Sequence, residues 1–283
     1  MRKRSLDPLA VKALALDLDG TVLNPGKALS ERTLKALRGC RERGLELLMV
    51  TGRAVEAAEK YRAAMDARGP MVYFNGAVVA DMPGGAVLSA TLLDMEAVKF
   101  CVGLSRSMGV YYQVFLPGSL QEPRQRLIAE RWCAEAEMYL DHTGIRAEIC
   151  DIGEAIAAPG LKGCIKSMFL AEAEAQDRIR ARLTERFGGS LYVARTLRNF
   201  LEIMNPRVSK GAGLRIALDR RGLMPGEAIA FGDEESDLPM FVAAGFSAAP
   251  ANAREAVRQA ADLIVPSNAE DGVAAFLEET FLR

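Results

Sequence analysis

Within the first 75 residues of this 283-residue chain, short apolar runs alternate with helical patterns, and each run stops at a polar residue or a turn. The runs occupy 9–18, 45–50 and 71–74, and the helical patterns occupy 30–43 and 54–68. An apolar run of this length, bounded by Gly or Asn, predicts a strand buried on both faces. Ser30 suits the N-cap of the first helix, Thr33, Leu34 and Leu37 open its period, and Gly44 closes it. A β-α-β-α-β order predicts an α/β chain with a doubly wound parallel sheet and right-handed crossovers.

After Asn75-Gly76 the alternation changes. Residues 77–88, with Pro83-Gly84-Gly85, read as a hairpin. A helix over 94–108, a strand over 110–116, an irregular stretch with Pro117 and Pro123, and a helix over 124–139 follow. Next come a strand at 165–170, a helix at 173–187 and a strand at 191–194. The opening pattern then resumes with a strand at 200–204, a helix at 210–221, strands at 228–231, 247–249 and 263–265, and short helices between and after them. The expected organisation is a core of residues 1–83 and 196–283, interrupted by an α+β insertion at 84–195, the kind of surface-loop insertion a folded core tolerates.

Composition narrows the function. The 36 basic and 37 acidic residues nearly cancel, so no nucleic-acid partner is expected. Met1-Arg2-Lys3-Arg4 begins like a secretory leader, but Lys12, Asp17 and Asp19 interrupt the apolar stretch that follows, and no run of about 18 apolar residues offers a membrane span. The five cysteines (Cys40, Cys101, Cys133, Cys150, Cys164) are odd in number and never form CxxC, which fits buried thiols in a cytoplasmic protein. His142 is the single histidine, no G-x-S-x-G accompanies it, and it reads as structural. Neither a G-x-x-x-x-G-K-[ST] nor a G-x-G-x-x-G loop is present.

In an open parallel sheet, ligands bind beyond the carboxyl ends of the strands. The polar residues expected there are Asp17 and Asp19, Thr51 with Gly52, and Asp233 with Asp237, while Lys210 opens a later helix. Asp17 and Asp19 are two apart and leave an extended chain on one side. Carboxylates that close repel unless a cation lies between them, and with Asp233 they form an oxygen donor set suited to Mg²⁺. A phosphoryl group beside Mg²⁺ and Lys210 would lose the charge that repels a carboxylate nucleophile. Thr51 and the Gly52 N–H, at a helix start, are natural phosphate donors. Asp17 would attack phosphorus to give an aspartyl-phosphate, and Asp19 would protonate the leaving alcohol and then activate water. Taken singly these strings are weak, since Asp-Gly is a common turn and most helix-start lysines are solvated. Arg53, Arg195, Arg198 and Arg207 read as surface ion pairs, and Trp132, Tyr111, Tyr112, Met204 and Met240 as core.

Asp17-Leu18-Asp19-Gly20-Thr21, Thr51-Gly52-Arg53, Lys210 and Gly232-Asp233-Glu234-Glu235-Ser236-Asp237 resemble, in order and spacing, the four motifs of the haloacid dehalogenase-like superfamily. An insertion between the second and third motifs, preceded by Asn75-Gly76-Ala77, is similar to the Cof-type branch of sugar- and cofactor-phosphate phosphatases. The resemblance spans essentially the whole chain and implies a Rossmann-like core with a type-2 cap that sets specificity. It implies Asp17 as nucleophile, Asp19 as acid/base, magnesium held by Asp17, the Asp19 carbonyl and Asp233 with Asp237 nearby, and Thr51, Gly52 and Lys210 on phosphate. Asn75, Gly76, Ser236 and Asn252 are candidates for supporting or substrate contacts. Two departures stand out: Ser236 replaces the family's usual Asn, and Pro250-Ala251-Asn252-Ala253 replaces Met-Gly-Asn-Ala. The reading is a Mg²⁺-dependent phosphatase of small phosphorylated metabolites, monomeric or homodimeric. Hexose phosphates, flavin mononucleotide and pyridoxal phosphate are the substrates the resemblance suggests. The alternatives are a phosphomutase, or a weakly active protein that binds phosphorylated ligands.

Overall fold

The computed structural model describes residues 3–84, 86–118 and 125–283. The chain divides into two compact units, one holding residues up to Arg53 with Ala58–Ser89 and Ser209–Arg283, the other holding Ala90–Val208 with Ala54–Ala57.

The first unit is built on a five-stranded parallel sheet, with Leu263–Val265, Phe246–Pro250, Ala228–Phe231, Ala13–Leu16 and Glu46–Met49 side by side. All four residues of Ala13–Leu16 are buried, as a central strand covered on both faces requires. Successive strands are built outward from Ala13–Leu16, first to Glu46–Met49 on one side and later to Ala228–Phe231 on the other. The carboxyl end of Ala13–Leu16 is therefore the switch point where a crevice opens. A parallel bridge from Val50 to Val72 attaches the strand Gly69–Tyr73, which runs antiparallel to Val78–Met82, and Val87–Ala90 completes that smaller sheet. The helix Glu31–Glu42 starts where the Ser30 hydroxyl accepts the Thr33 N–H at 3.0 Å, as its sequence expects. The first strand is shorter than the apolar run 9–18, because Asp7–Ala10 turns outside the sheet and leaves Leu9 96% exposed.

The second unit carries a six-stranded sheet in the order Tyr192–Leu197, Phe200–Met204, Lys166–Leu170, Tyr111–Pro117, Gln125–Ala129 and Glu148–Ile149. One face packs Val114, Ile128, Phe169, Leu201 and Ile203 against the helices Met95–Met108 and Ala173–Phe187. On the other face, Tyr139 of the helix Ala134–Thr143 sits 6.2 Å from Phe115 and 5.7 Å from Phe200, ring centre to ring centre.

Two expectations are corrected here. The helix expected at 124–139 is a strand, Gln125–Ala129, followed by a helix that begins at Ala134. Pairing of Gln125–Ala129 with Gln113–Pro117 decides the outcome, since a strand's stability comes from its neighbours more than its own propensity. Pro123 and residue 124 lie outside the described residues. Phe200–Met204, expected in the core, is hydrogen-bonded between Lys166–Leu170 and Tyr192–Leu197 in the second unit's sheet. Its sequence, apolar except for Glu202, suits either sheet. Tyr111, Tyr112, Met204 and Met240 are buried as expected, whereas Trp132 is only half-buried, with the Arg146 guanidinium 4.3 Å from its ring. His142 ends its helix with its ring edge-on to Phe200.

Candidate active site

Asp17 is the first residue past the central strand, and its N–H still bonds to the Phe231 carbonyl at 3.1 Å, so the sheet fixes its backbone. The chain then folds into a tight turn over Leu18–Val22, closed by the Leu23 N–H on the Leu18 carbonyl. Gly20 makes that turn with φ +75°. A Cβ there would meet Asp233 Oδ2 at 2.1 Å, so the turn and the Asp233 carboxylate share one space. Thr21 closes the gap: its hydroxyl donates to Asp233 Oδ1 at 2.8 Å and lies 3.5 Å from Asp17 Oδ2. Gly20→Ala should thus destabilise the fold by about 2 kcal/mol or more, from the left-handed backbone and the displaced carboxylate together. Chemical denaturation measures it, and an unchanged unfolding midpoint would contradict the close approach.

The second strand end is Thr51, whose N–H bonds to Val72 O at 2.9 Å and whose hydroxyl accepts the Arg53 N–H at 3.2 Å. Gly52 lets the Asn75 carboxamide come close, since a Cβ would lie 2.8 Å from Asn75 Oδ1. Asn75 is itself in a left-handed conformation, φ 56°, and is tied to the Thr51 carbonyl through its N–H at 3.0 Å. Gly76 follows at φ +101°, against the Ser209 carbonyl. Arg53 has a specific partner: both its Nε and Nη2 donate to the Asp19 carboxylate at 2.6 Å, a bidentate pair. The Arg53 guanidinium also stacks 5.0 Å from the Tyr61 ring centre.

Lys210 opens the helix Lys210–Arg221, which is capped by the Ser209 hydroxyl accepting the Ala212 N–H. Its ammonium donates to Asp17 Oδ1 and Asp237 Oδ1, both at 2.6 Å. Asp237 is fully buried, and its other oxygen accepts the Asp233 and Glu234 N–H groups at 2.9 and 3.0 Å. That carboxylate locks the turn that presents Asp233. Ser236 is half-buried in the same turn, Glu235–Asp237. Asn252 donates to the Gly20 carbonyl at 2.8 Å and accepts the Asn268 N–H at 2.8 Å, bracing the Gly20 turn from outside. Asn268 in turn donates to the Leu23 carbonyl at 2.7 Å.

Thr21, Arg53 as the partner of Asp19, and Asn268 were not singled out as functional by sequence reasoning. Thr21 and Arg53 stand inside the strings that marked Asp17 and Thr51, which is the signal that would have found them. Nothing local marks Asn268.

The cluster holds excess negative charge. Asp17, Asp233 and Asp237 each offer an oxygen, and these oxygens lie within 4.8 Å of one another. Burial pushes the Asp17 carboxyl well above its usual range, with Lys210 pulling down and Asp237 and Asp233 pushing up. Burial likewise raises Asp233 to about 6, against the hydrogen bond from Thr21, with Asp237 adding to the rise. Burial opposes the charge on Lys210, yet Asp17 and Asp237 outweigh it and hold the ammonium above its ordinary value. One ammonium among three carboxylates leaves a deficit that a divalent cation would offset, and an all-oxygen donor set fits a hard ion such as Mg²⁺. The Asp19 carboxylate stays apart from the cluster, on Arg53.

A doubly wound core with carboxylates and a lysine at its switch point is the frame of an α/β phosphoryl hydrolase. The sequence matches the haloacid dehalogenase-like hydrolase family over residues 14–277, and the chain belongs to that family, in its Cof-type branch. It is 30% identical over 273 residues to a 5-amino-6-(5-phospho-D-ribitylamino)uracil phosphatase of Bacillus subtilis, covering 95% of this chain and 97% of that one. A solved Thermotoga maritima structure is 26% identical with a TM-score of 0.83, covering 95% of this chain and 97% of that one. A haloacid dehalogenase-like hydrolase from Bacteroides thetaiotaomicron has the same fold, with a TM-score of 0.85 at 24% identity over 96% of this chain and all of that one. The protein is a phosphatase. No helix among the described residues is long and apolar enough to cross a membrane.

Proposed function

We propose that the protein hydrolyses small phosphate monoesters with Mg²⁺ through a phosphoryl-Asp17 intermediate. The observation that carries this reading is the Asp17 carboxylate itself, buried at the switch point, 2.6 Å from Lys210 and grouped with Asp233 and Asp237. Asp17 and Asp233 would hold Mg²⁺, with Asp237 beside them. The ion would withdraw charge from the phosphoryl oxygens and from the carboxylate that must approach them.

The remaining work falls to the chain's own residues. Lys210 holds Asp17 in one orientation and supplies positive charge next to the reacting centre. An Asp17 oxygen bonds to phosphorus while the ester oxygen leaves, taking a proton from Asp19. Water then attacks phosphorus, gives its proton to Asp19, and releases Asp17 and inorganic phosphate. Arg53 holds both Asp19 oxygens through two hydrogen bonds, which favours the ionised carboxylate, so Asp19 would give up at least one of them to carry the proton. Thr51 and Gly52, held by Val72 and Asn75, would bind the non-bridging oxygens.

The second unit would choose the leaving group. The B. subtilis relative's phosphorylated ribitylaminouracil is one candidate substrate, alongside the hexose and cofactor phosphates that the family resemblance suggests. A metabolite-phosphate panel with and without Mg²⁺ tests the reading. Inorganic phosphate should appear with at least one sugar, polyol or cofactor phosphate only when Mg²⁺ is present. Isomerised sugar phosphate in place of free phosphate would make the protein a mutase instead, and tight binding of phosphorylated ligands without release of either product would make it a binding protein.

A further inference from the structure

The Asp19–Arg53 pair leans on a third side chain. Tyr61, in the helix Val55–Ala64, is buried, and its ring centre lies 5.0 Å from the Arg53 guanidinium. Its hydroxyl donates to the Lys27 carbonyl at 2.9 Å. Lys27 belongs to a tight loop that leaves the Leu18–Val22 turn almost at once. In that loop Asn24 Oδ1 accepts the Ala28 N–H at 3.1 Å, and the Lys27 N–H donates to the Asn24 carbonyl at 2.8 Å. One buried ring therefore touches both the cation that holds Asp19 and the loop that follows the Asp19 turn. All of these residues lie in the first unit.

The two partners of the ion pair are unequally fixed. The Arg53 side chain is 14% exposed and the Asp19 side chain 49%. An ion pair with one arm in solvent is ordinarily weak, because ordering two flexible side chains costs entropy. Here the guanidinium is ordered beforehand. It lies over the Tyr61 ring in a cation–π contact and still presents Nε and Nη2 to the carboxylate, each at 2.6 Å. Burial opposes the charge on Arg53, yet Asp19 and Tyr61 outweigh it and hold the guanidinium above its ordinary value.

We infer that Tyr61 is a positioning residue for proton transfer: its ring fixes the Arg53 guanidinium and, through it, the reach of the Asp19 carboxyl. This rests on the reading of Asp19 as the proton carrier. To take up a proton, Asp19 lets go of at least one Arg53 N–H. With the guanidinium anchored on Tyr61, the arginine stays behind, and Asp19 moves between its held and proton-bearing positions against a fixed point. Without the ring, Arg53 is free to follow Asp19, and that point is lost. Displacing a reacting group by about 1 Å can cost about 100-fold in rate. The Tyr61 hydroxyl steadies the ring against the loop but does not touch the ion pair, so the aromatic ring is the part that proton transfer needs.

Leaving groups separate this role from packing. Benzyl phosphate departs as an alkoxide that needs a proton, whereas 4-nitrophenyl phosphate, of similar shape, departs as a stabilised phenoxide that needs little. The test measures kcat/KM for both esters in the full chain with Mg²⁺. The ratio, benzyl over 4-nitrophenyl, cancels any loss of folded protein. Tyr61→Leu and Tyr61→Met should each lower it about 10-fold, part of the roughly 10²- to 10⁴-fold that a general acid supplies. Tyr61→Phe, which keeps the ring, should return it to within about threefold of wild type. In an Arg53→Met background, Tyr61→Leu should lower the ratio no further, because residues that act through one contact are not additive. A ratio unmoved by both Leu and Met, a Phe variant as impaired as Leu, or a full further loss in the Arg53→Met background would overturn the inference. Asp19→Asn tests the reading beneath it and should lower the ratio more than any Tyr61 variant. If Asp19→Asn leaves the ratio at the wild-type value, the proton-carrier assignment fails and this inference with it. If Asp19→Asn lowers the ratio and no Tyr61 variant does, the assignment stands and Tyr61 is core packing alone.

Discussion

Asp17→Asn protein should release no measurable phosphate from any ester, a loss in kcat of at least about 10⁴-fold, while its thermal midpoint in metal-free buffer stays at or above the wild-type value. The chemical half follows from what the carboxamide lacks, an oxygen able to form an acyl phosphate. The stability half follows from the charge balance. Asp17 is 5% exposed and shares its surroundings with two other carboxylates. Burial pushes its carboxyl well above the ordinary range, so the fold disfavours the ionised form of this group. Asn has nearly the same shape, leaves an oxygen for the Lys210 ammonium, and removes one negative charge. Lys210 also retains its 2.6 Å contact with Asp237. Phosphate release and scanning calorimetry on the same sample check both halves. A variant that retains wild-type turnover would end the nucleophile assignment. An inactive variant with a collapsed midpoint would show that Asp17 is needed for structure first.

The candidate site was legible in sequence where the fold is periodic and local. Apolar runs that stop at Asp17, Thr51 and Asp233 mark the ends of parallel strands, and one unit of the structure holds all three residues. Lys210 was legible only as a member of the ordered set. Its two 2.6 Å contacts link residues 193 and 27 positions away, which no local pattern encodes. The same holds for Thr21 with Asp233, 212 apart, and for Asn252 with the Gly20 carbonyl, 232 apart. Arg53 was legible in kind but not in partner: it reads as a surface ion pair and is one, yet only the turn after the first strand brings Asp19, 34 positions away, to it.

The second unit was less legible for a physical reason. An antiparallel sheet is stabilised across strands, and Gln-Arg-Leu-Ile-Ala at 125–129 has no strong intrinsic preference until Gln113–Pro117 pairs with it. A buried five-residue strand that is apolar but for Glu202 reads alike in a parallel core and an antiparallel insertion, so only pairing with Lys166–Leu170 and Tyr192–Leu197 places Phe200–Met204 in the second unit's sheet and not the core. Helices with caps and clear periods were found in both units. Met95–Met108 begins where Asp94 accepts the Glu96 N–H at 2.7 Å, and Ala173–Phe187 matches its expected span.

Chelation should silence the enzyme, and the remedy should weaken with acid. Stripping divalent cations is expected to lower turnover at pH 7.5 by about 100-fold or more, with Mg²⁺ restoring it, since the ion would supply charge that Lys210 alone does not balance. Asp233 titrates at about 6, because burial raises it. Below that pH a proton competes for the same carboxylate, and the apparent Mg²⁺ affinity should drop about tenfold per pH unit for a single competing proton. Stability carries the opposite sign in the metal-free protein. The folded value of Asp233 lies above the roughly 3.9 of an unfolded aspartate, so its contribution is greatest below about 3.9 and is lost as pH rises through about 6. The metal-free midpoint should therefore rise between pH 7.5 and 5.5 as far as this group decides it, with Asp17 acting in the same direction. Mg²⁺ at about 100 times its dissociation constant adds about 2.7 kcal/mol at pH 7.5. That increment should shrink on acidification, where Asp233 already carries its proton. Calorimetric scans at both pH values, with and without Mg²⁺, measure all four corners. A midpoint indifferent to Mg²⁺ at pH 7.5, or an increment that grows toward pH 5.5, would remove the cation from this cluster.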